Sequence, residues 1–242
     1  MIKIENLWKK FGGHQILKGL NLEIPDGELM VIIGPSGCGK SVLLKHMIGL
    51  LKPDEGKIFI DGTDITVLKE KDLKKIRFMF GMVFQGGALF DSLTVGENVA
   101  FGLRMHTDMK ESEIVKTVNE KLELVGLKGI YDSKVDEISG GMRKRVALAR
   151  AIVRNPRIIL YDEPTTGVDV AMIDNVNRLI RDLQNRLKVI SVVVTHDLEN
   201  AYKIADRIAV FHDGKIAYIG TVEEMKGKEE EILNKYMKIV QA

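Results

Sequence analysis

Eight consecutive residues restrict what this chain can fold into more than any others. Gly34-Pro35-Ser36-Gly37-Cys38-Gly39-Lys40-Ser41 follows the apolar run Leu29–Ile33 and leads into a helical pattern beginning near Lys40. A buried strand, a glycine-rich loop and a helix in that order form a P-loop. Its backbone N–H groups curl into a nest for phosphate oxygens, and the helix N-terminus adds the positive end of its dipole. Lys40 is then expected to reach the β- and γ-phosphates, with the Ser41 hydroxyl placed to hold Mg²⁺. Val42 stands where many such loops carry a second hydroxyl. Cys38, inside the cradle at a helix N-terminus, is expected to favour its thiolate.

Two more apolar runs, Ile158–Tyr161 and Val189–Val194, stop as abruptly, in Asp162-Glu163 and in Thr195-His196-Asp197. All three runs read as strands buried on both faces, as in a parallel sheet. Open α/β sheets gather their ligands at the carboxyl ends of such strands, so these polar ends are expected to converge, together with Gln85 after FGMVF. Asp162 would belong to the Mg²⁺ shell, Gln85 would touch metal or water, Glu163 would act on the attacking water, and His196 would bond the γ-phosphate.

The rest of the chain reads differently. Ile2/Ile4 and Leu20/Leu22/Ile24 alternate with polar residues as half-buried antiparallel strands do. Arg207–Phe211 and Lys215–Ile219 flank a His212-Asp213-Gly214 turn. From about Leu93 to Val135 the spacing of Val115, Val118, Leu122 and Val125 predicts helix. The expected fold is α/β: a P-loop NTPase core with a mostly parallel sheet, an antiparallel β flank and an inserted α-helical subdomain. One cassette would span 1–242, with the nucleotide-binding core at 1–85 and 138–220, the helical insert at 86–137 and a short helical tail at 221–242.

Charge narrows the function. Thirty-six Lys+Arg balance thirty-four Asp+Glu, which argues against a nucleic-acid partner, and Arg143-Lys144-Arg145 reads as a solvated helix face. A single cysteine suits a reducing compartment. No apolar run approaches the roughly 20 residues that span a bilayer, and no signal peptide is expected at the N-terminus. Any membrane role would come through a partner. A guanine-reading Asn-Lys-x-Asp is absent, which disfavours a GTPase.

A second glycine motif, Ile138-Ser139-Gly140-Gly141-Met142, opens another helix, and one nucleotide has no obvious need of two cradles in one chain. With it, the chain resembles the ABC ATPase family along nearly its whole length. GPSGCGKS resembles Walker A, Gln85 the Q-loop, SGGM the signature, RIILYDEP Walker B, TTGVD with Asp169 the D-loop, His196 the switch histidine, and Phe11 the aromatic that stacks on adenine. The resemblance implies a head-to-tail homodimer with two ATP molecules, each held between one copy's P-loop, from Gly34 to Val42, and the other copy's Ser139, Gly140 and Gly141. It also implies a separate membrane permease, with this subunit at the cytoplasmic face of the inner membrane. Met142 replaces the family's usual glutamine and Val42 its usual threonine. With FQGGALFDSLTVGENVAF, these resemble the branch that powers bacterial MCE-type lipid transport, which works with lipid-binding MCE proteins. An importer cassette for amino acids or other small solutes would look similar.

Overall fold

The computed structural model describes residues 1–237; the end of the expected tail, 238–242, lies outside them. Two sheets organise these residues. Strands β1 (Ile2–Phe11), β2 (His14–Ile24), β4 (Glu55–Ile60) and β5 (Thr63–Asp64) form an antiparallel sheet in the order β2-β1-β4-β5. Strands β3 (Leu29–Ile33), β6 (Phe80–Val83), β7 (Ile158–Asp162), β8 (Ile190–Thr195), β9 (Arg207–His212) and β10 (Lys215–Thr221) form the second, in the order β10-β9-β3-β8-β7-β6. Every pairing in it is parallel except the β9–β10 hairpin. The helices are α1 (Lys40–Met47), α2 (Glu70–Arg77), α3 (Val95–His106), α4 (Glu111–Leu124), α5 (Gly140–Ile152), α6 (Val170–Leu187), α7 (Leu198–Ile204), α8 (Val222–Gly227) and α9 (Glu229–Ile232).

The parallel sheet is buried on both faces, and the two-residue period of its strands divides the core. Leu29, Val31 and Ile33 of β3 point into one apolar cluster, with Ile159 and Tyr161 of β7 and the inner faces of α3, α4, α5 and α6. Met30 and Ile32 point into the other, with Ile158, Leu160, Leu43 and Leu44 of α1, and Ile2, Ile4 and Leu20 of the antiparallel sheet. Fully burying each such side chain contributes roughly 1.5–3 kcal/mol against leaving it in water. Among the described residues no helix is long and apolar enough to cross a membrane.

Residues 86–137 carry α3, α4 and a 3₁₀ turn at Val135–Glu137. Thr94 starts α3 with a capping box: its Oγ1 accepts from the Glu97 N–H at 3.2 Å, and Glu97 Oε2 accepts from the Thr94 N–H at 2.8 Å. Asn98, fully buried, takes the Phe90 N–H on Oδ1 at 2.8 Å and donates Nδ2 to the Phe90 and Thr94 carbonyls, both at 3.0 Å. It thereby fixes the segment that follows Gln85. In α4 the buried face is Ile114, Val118 and Leu122, continued by Val125. Val115, expected on that face, is only partly buried, because the i, i+4 row through Ile114 takes its place. Beyond Thr221, α8 and α9 are followed by a π-helical turn, Leu233–Met237.

His46 of α1 is fully buried, with Nδ1 2.8 Å from the Val42 carbonyl and Nε2 without a hydrogen-bond partner among the described residues. Burial holds its pKa below the ordinary 6.5. The unfolded chain therefore takes up this proton first, so stability is complete above about pH 6.5 and falls as the pH drops through the depressed folded value. Chemical denaturation between pH 7 and 5 is expected to show this loss, with a slope of up to about 1.4 kcal/mol per pH unit from this one group. His46→Leu is expected to flatten it by one proton; an unchanged slope would remove His46 as its source.

Candidate functional site

Four adjacent strands of the parallel sheet, β3, β8, β7 and β6, end on the same edge, and each delivers polar residues there. Their carboxyl ends border a cleft of about 430 Å³ lined by Ser36, Gly37, Gly39, Lys40, Ser41, Val42, Gln85, Glu163, Thr166 and His196.

The loop after β3 can only be built from glycine at key points. Gly39 sits at φ +115°, and a Cβ there would lie 2.7 Å from Ile16 Cγ2. A Cβ on Gly34 would lie 2.6 Å from the Phe211 carbonyl oxygen. The backbone therefore packs against β2 and β9 as closely as it turns. Gly39 caps α1 with no side-chain bond, which leaves the first-turn N–H groups of α1 available to an anion. Lys40, only 5% exposed, donates to the Gly34 carbonyl at 2.7 Å and the Pro35 carbonyl at 2.9 Å, and its Nζ lies 3.7 Å from Glu163 Oε1. The Ser41 hydroxyl donates to Asp162 Oδ1 at 2.9 Å.

Glu163 holds the centre of the cleft. Its backbone is in the left-handed region, φ +48°, where a non-glycine residue needs an outside constraint. Its N–H supplies one by bonding the Val194 carbonyl at 3.0 Å. Its Oε2 lies 3.0 Å from His196 Nδ1 and accepts from Thr166 Oγ1 at 3.3 Å and Thr195 Oγ1 at 3.4 Å. A carboxylate so oriented, beside a cation and a hydroxyl-bound aspartate, can position a water against a bound phosphate.

Other expected residues lie elsewhere. Phe11 is exposed at the β1–β2 hairpin, with Lys9 Nζ 5.4 Å from its ring centroid, outside the cleft lining. Asp169 caps α6 without a side-chain bond. Ser139, Gly140 and Gly141 open α5, also outside the lining. Ser139 Oγ accepts from the Met142 N–H at 3.2 Å.

Two expectations are corrected. Burial raises the Cys38 pKa and outweighs the Lys40 charge, because the thiol packs against the apolar cluster beneath the loop. The thiol form is therefore favoured, not the thiolate. Of the basic run, only Arg143 is a solvated side chain; Lys144 is drawn onto the carbonyls of Gln85 and Thr166, and Arg145 is partly buried near Gly126. Thr195 belongs to a polar strand end expected at the site, whereas Thr166, in the polar stretch after β7, is a member that the sequence reading does not single out.

A family model described as ABC transporter matches residues 17–166. Over 236 residues, 98% of the chain, there is 44% identity to the probable ribonucleotide transport ATP-binding protein mkl of Mycobacterium leprae, of which the chain covers 68%. Over 226 residues, 93% of the chain, there is 39% identity to the Fe(3+) ions import ATP-binding protein FbpC of Escherichia coli strain K12, of which it covers 63%. The chain spans about two thirds of the length of these curated relatives. The dimeric structure of MJ0796, a bacterial ABC transporter cassette, superposes with a TM-score of 0.83 at 36% identity, over 92% of this chain and 99% of that one. A post-hydrolysis dimer of the same cassette, bound to ADP and Pi, gives the same values. The chain belongs to the ABC transporter family, as one of its ATP-binding, ATP-hydrolysing cassettes.

Proposed function

We propose that this cassette closes as a homodimer around two ATP molecules and thereby drives lipid transport, phospholipid above all, by a separate membrane permease. The convergence of Lys40, Ser41, Asp162, Glu163, Gln85 and His196 at four neighbouring strand ends carries the catalytic part. Residues Gly34 to Ser41 cradle the phosphates, and Lys40 neutralises the β- and γ-oxygens. Val42 provides no hydroxyl, so affinity rests on the loop's backbone and Lys40. Phe11 stacks on the adenine, and Ser139, Gly140 and Gly141 of the partner copy close over the γ-phosphate, near its Asp169.

The oxygen chemistry fits Mg²⁺, which takes one or two carboxylates, waters and substrate phosphates rather than a full protein cage. Ser41 Oγ and Asp162 Oδ1 stand 2.9 Å apart with Gln85 in the same cleft, and no cluster of three His, Cys, Asp or Glu occurs among the described residues. Ser41, Asp162 and Gln85 would hold the ion, which supplies charge neutralisation at the transferring phosphoryl group. Glu163 orients the water and accepts its proton; His196, bonded to Glu163, keeps that carboxylate aimed and reaches the γ-phosphate.

The permease would dock on residues 86–137, at the cytoplasmic face of the inner membrane. Phe90 and Phe101 meet at 4.9 Å with their rings tilted and are both exposed, with Met105 exposed farther along α3 and Phe84 just before the stretch, whereas Leu89 packs on the core. These aromatics suit a helix laid in a groove. Phe90→Asp with Phe101→Asp is expected to release the membrane subunit from the purified complex while ATP binding persists. Retention of the subunit by the double variant would move docking elsewhere.

Val42, Met142 and the FQGGALFDSLTVGENVAF stretch support a lipid cargo and MCE-type partners beyond the permease. A small-solute importer is the second reading, favoured by the Fe(3+) importers at 39–41% identity. Mass spectrometry of the complex purified from its native membrane separates them: enriched phospholipid with an MCE protein supports the first, and a solute-binding partner without lipid enrichment supports the second.

A further inference from the structure

Two asparagines are buried where apolar side chains would fit. Asn177 of α6 is 3% exposed and Asn200 of α7 is 6% exposed. Asn177 donates Nδ2 to Asn200 Oδ1 at 2.9 Å. Asn200 in turn donates its Nδ2 and, at 3.0 Å, its backbone N–H to the carboxylate of Asp197, the N-cap of α7. An ionised carboxylate only accepts, so Asn200 must turn its amide nitrogen to Asp197 and its oxygen to Asn177. The pair therefore runs in one direction, from α6 into the Asp197 carboxylate. The Asp197 N–H continues it to Thr195 Oγ1 at 3.2 Å, which leaves the one hydroxyl proton of Thr195, itself 4% exposed, for Glu163 Oε2 at 3.4 Å.

Leucine at both positions would fill this space with no amide to desolvate, so what the asparagines add is orientation. We propose that Asn200, held by Asn177, is a positioning residue for hydrolysis: it pins the turn 195–197, so that the Thr195 hydroxyl and the His196 ring hold the Glu163 carboxylate toward the attacking water. This rests on the reading of Glu163 as the base. Asp197 directly follows His196, whose Nδ1 lies 3.0 Å from the same Oε2, so two of the three groups around that oxygen come from one pinned turn. Neither asparagine lines the cleft, so ATP affinity does not depend on them. Their contribution belongs to the chemical step, where a small error of aim costs rate.

Steady-state MgATP hydrolysis and fluorescent-nucleotide titration of the purified full chain test this. Asn200→Asp, which sets a carboxylate against Asp197, is expected to lower kcat about tenfold or more, the equivalent of one charge-assisted hydrogen bond, with ATP affinity within about twofold of wild type. Exchanging the two residues, Asp197→Asn with Asn200→Asp, restores a donor facing a carboxylate and an acceptor for the helix cap, and is expected to recover most of the rate. Thr195→Val is expected to lower kcat similarly and Thr195→Ser to keep it. Thr195→Val with Asn200→Asp is expected to be little slower than either alone, because both act through one hydroxyl. Should Asn200→Asp unfold, Asn177→Leu with Asn200→Leu, which removes both amides together, is expected to fold and to show the same fall in kcat. A lowered thermal midpoint with kcat unchanged, a parallel loss of ATP affinity, or losses that multiply in the Thr195→Val/Asn200→Asp protein overturns the positioning role. Glu163→Gln hydrolysing at the wild-type rate would instead overturn the catalytic reading on which it rests.

Discussion

Glu163→Gln is expected to bind ATP and hydrolyse it at least about a hundredfold more slowly. The amide keeps the size of the carboxylate and an acceptor for the Thr166 and Thr195 hydroxyls, so the left-handed turn at Glu163 and its bond to the Val194 carbonyl persist. What is lost is the group proposed to take a proton from water. A general base typically contributes about 10²–10⁴-fold, so the deficit belongs to kcat and not to the ATP dissociation constant. Rapid-quench single turnovers separate the two: the burst of bound ATP should stay and its conversion to ADP should slow. Conversion at the wild-type rate would mean that another group activates the water.

Lys40→Ala is expected to fail one step earlier. Its ammonium is nearly buried and organises the loop by holding the Gly34 and Pro35 carbonyls, so the substitution removes both the proposed phosphate contact and the pin that shapes the cradle. A charge-assisted hydrogen bond contributes about 1.5–3 kcal/mol, so ATP affinity should fall by roughly ten- to a hundredfold or more, with hydrolysis falling in parallel. Fluorescent-nucleotide titration measures it directly. The contrast between the two variants carries the assignment, since a merely misfolded cleft would lose binding in both.

The parts of this site that are legible in the sequence are those where a buried strand ends. Leu29–Ile33, Ile158–Tyr161 and Val189–Val194 are apolar on both faces because both faces of the sheet are covered, and the first polar residues after them have nowhere to go but the shared edge. Strand β4 is less legible: it is short, only its Ile58 and Ile60 are buried in the core, and its partner β1 lies some fifty residues away. Lys144 is illegible for a related reason, since the carbonyls that hold it come from loops distant in sequence and a basic run looks the same with or without them. At Cys38 two local effects oppose each other, a helix N-terminus and burial, and only the packing decides that burial wins. Ser139, Gly140 and Gly141 lie outside the cleft lining of their own chain, which agrees with the proposal that they serve a second copy.

The most direct measurement of the central claim is the mass of the Glu163→Gln protein by size-exclusion chromatography with light scattering, with and without MgATP. In the proposed sandwich ATP bridges Lys40 of one copy and Ser139 of the other, so it would bind the dimer more tightly and shift the monomer–dimer equilibrium by mass action. The 27.1 kDa chain is therefore expected to elute as a monomer alone and as a dimer with ATP. A further Ser139→Arg change, which fills the cradle at the start of α5, is expected to keep it monomeric with ATP present. A Glu163→Gln protein that binds ATP and stays a monomer, or a dimer indifferent to Ser139→Arg, would contradict the sandwich.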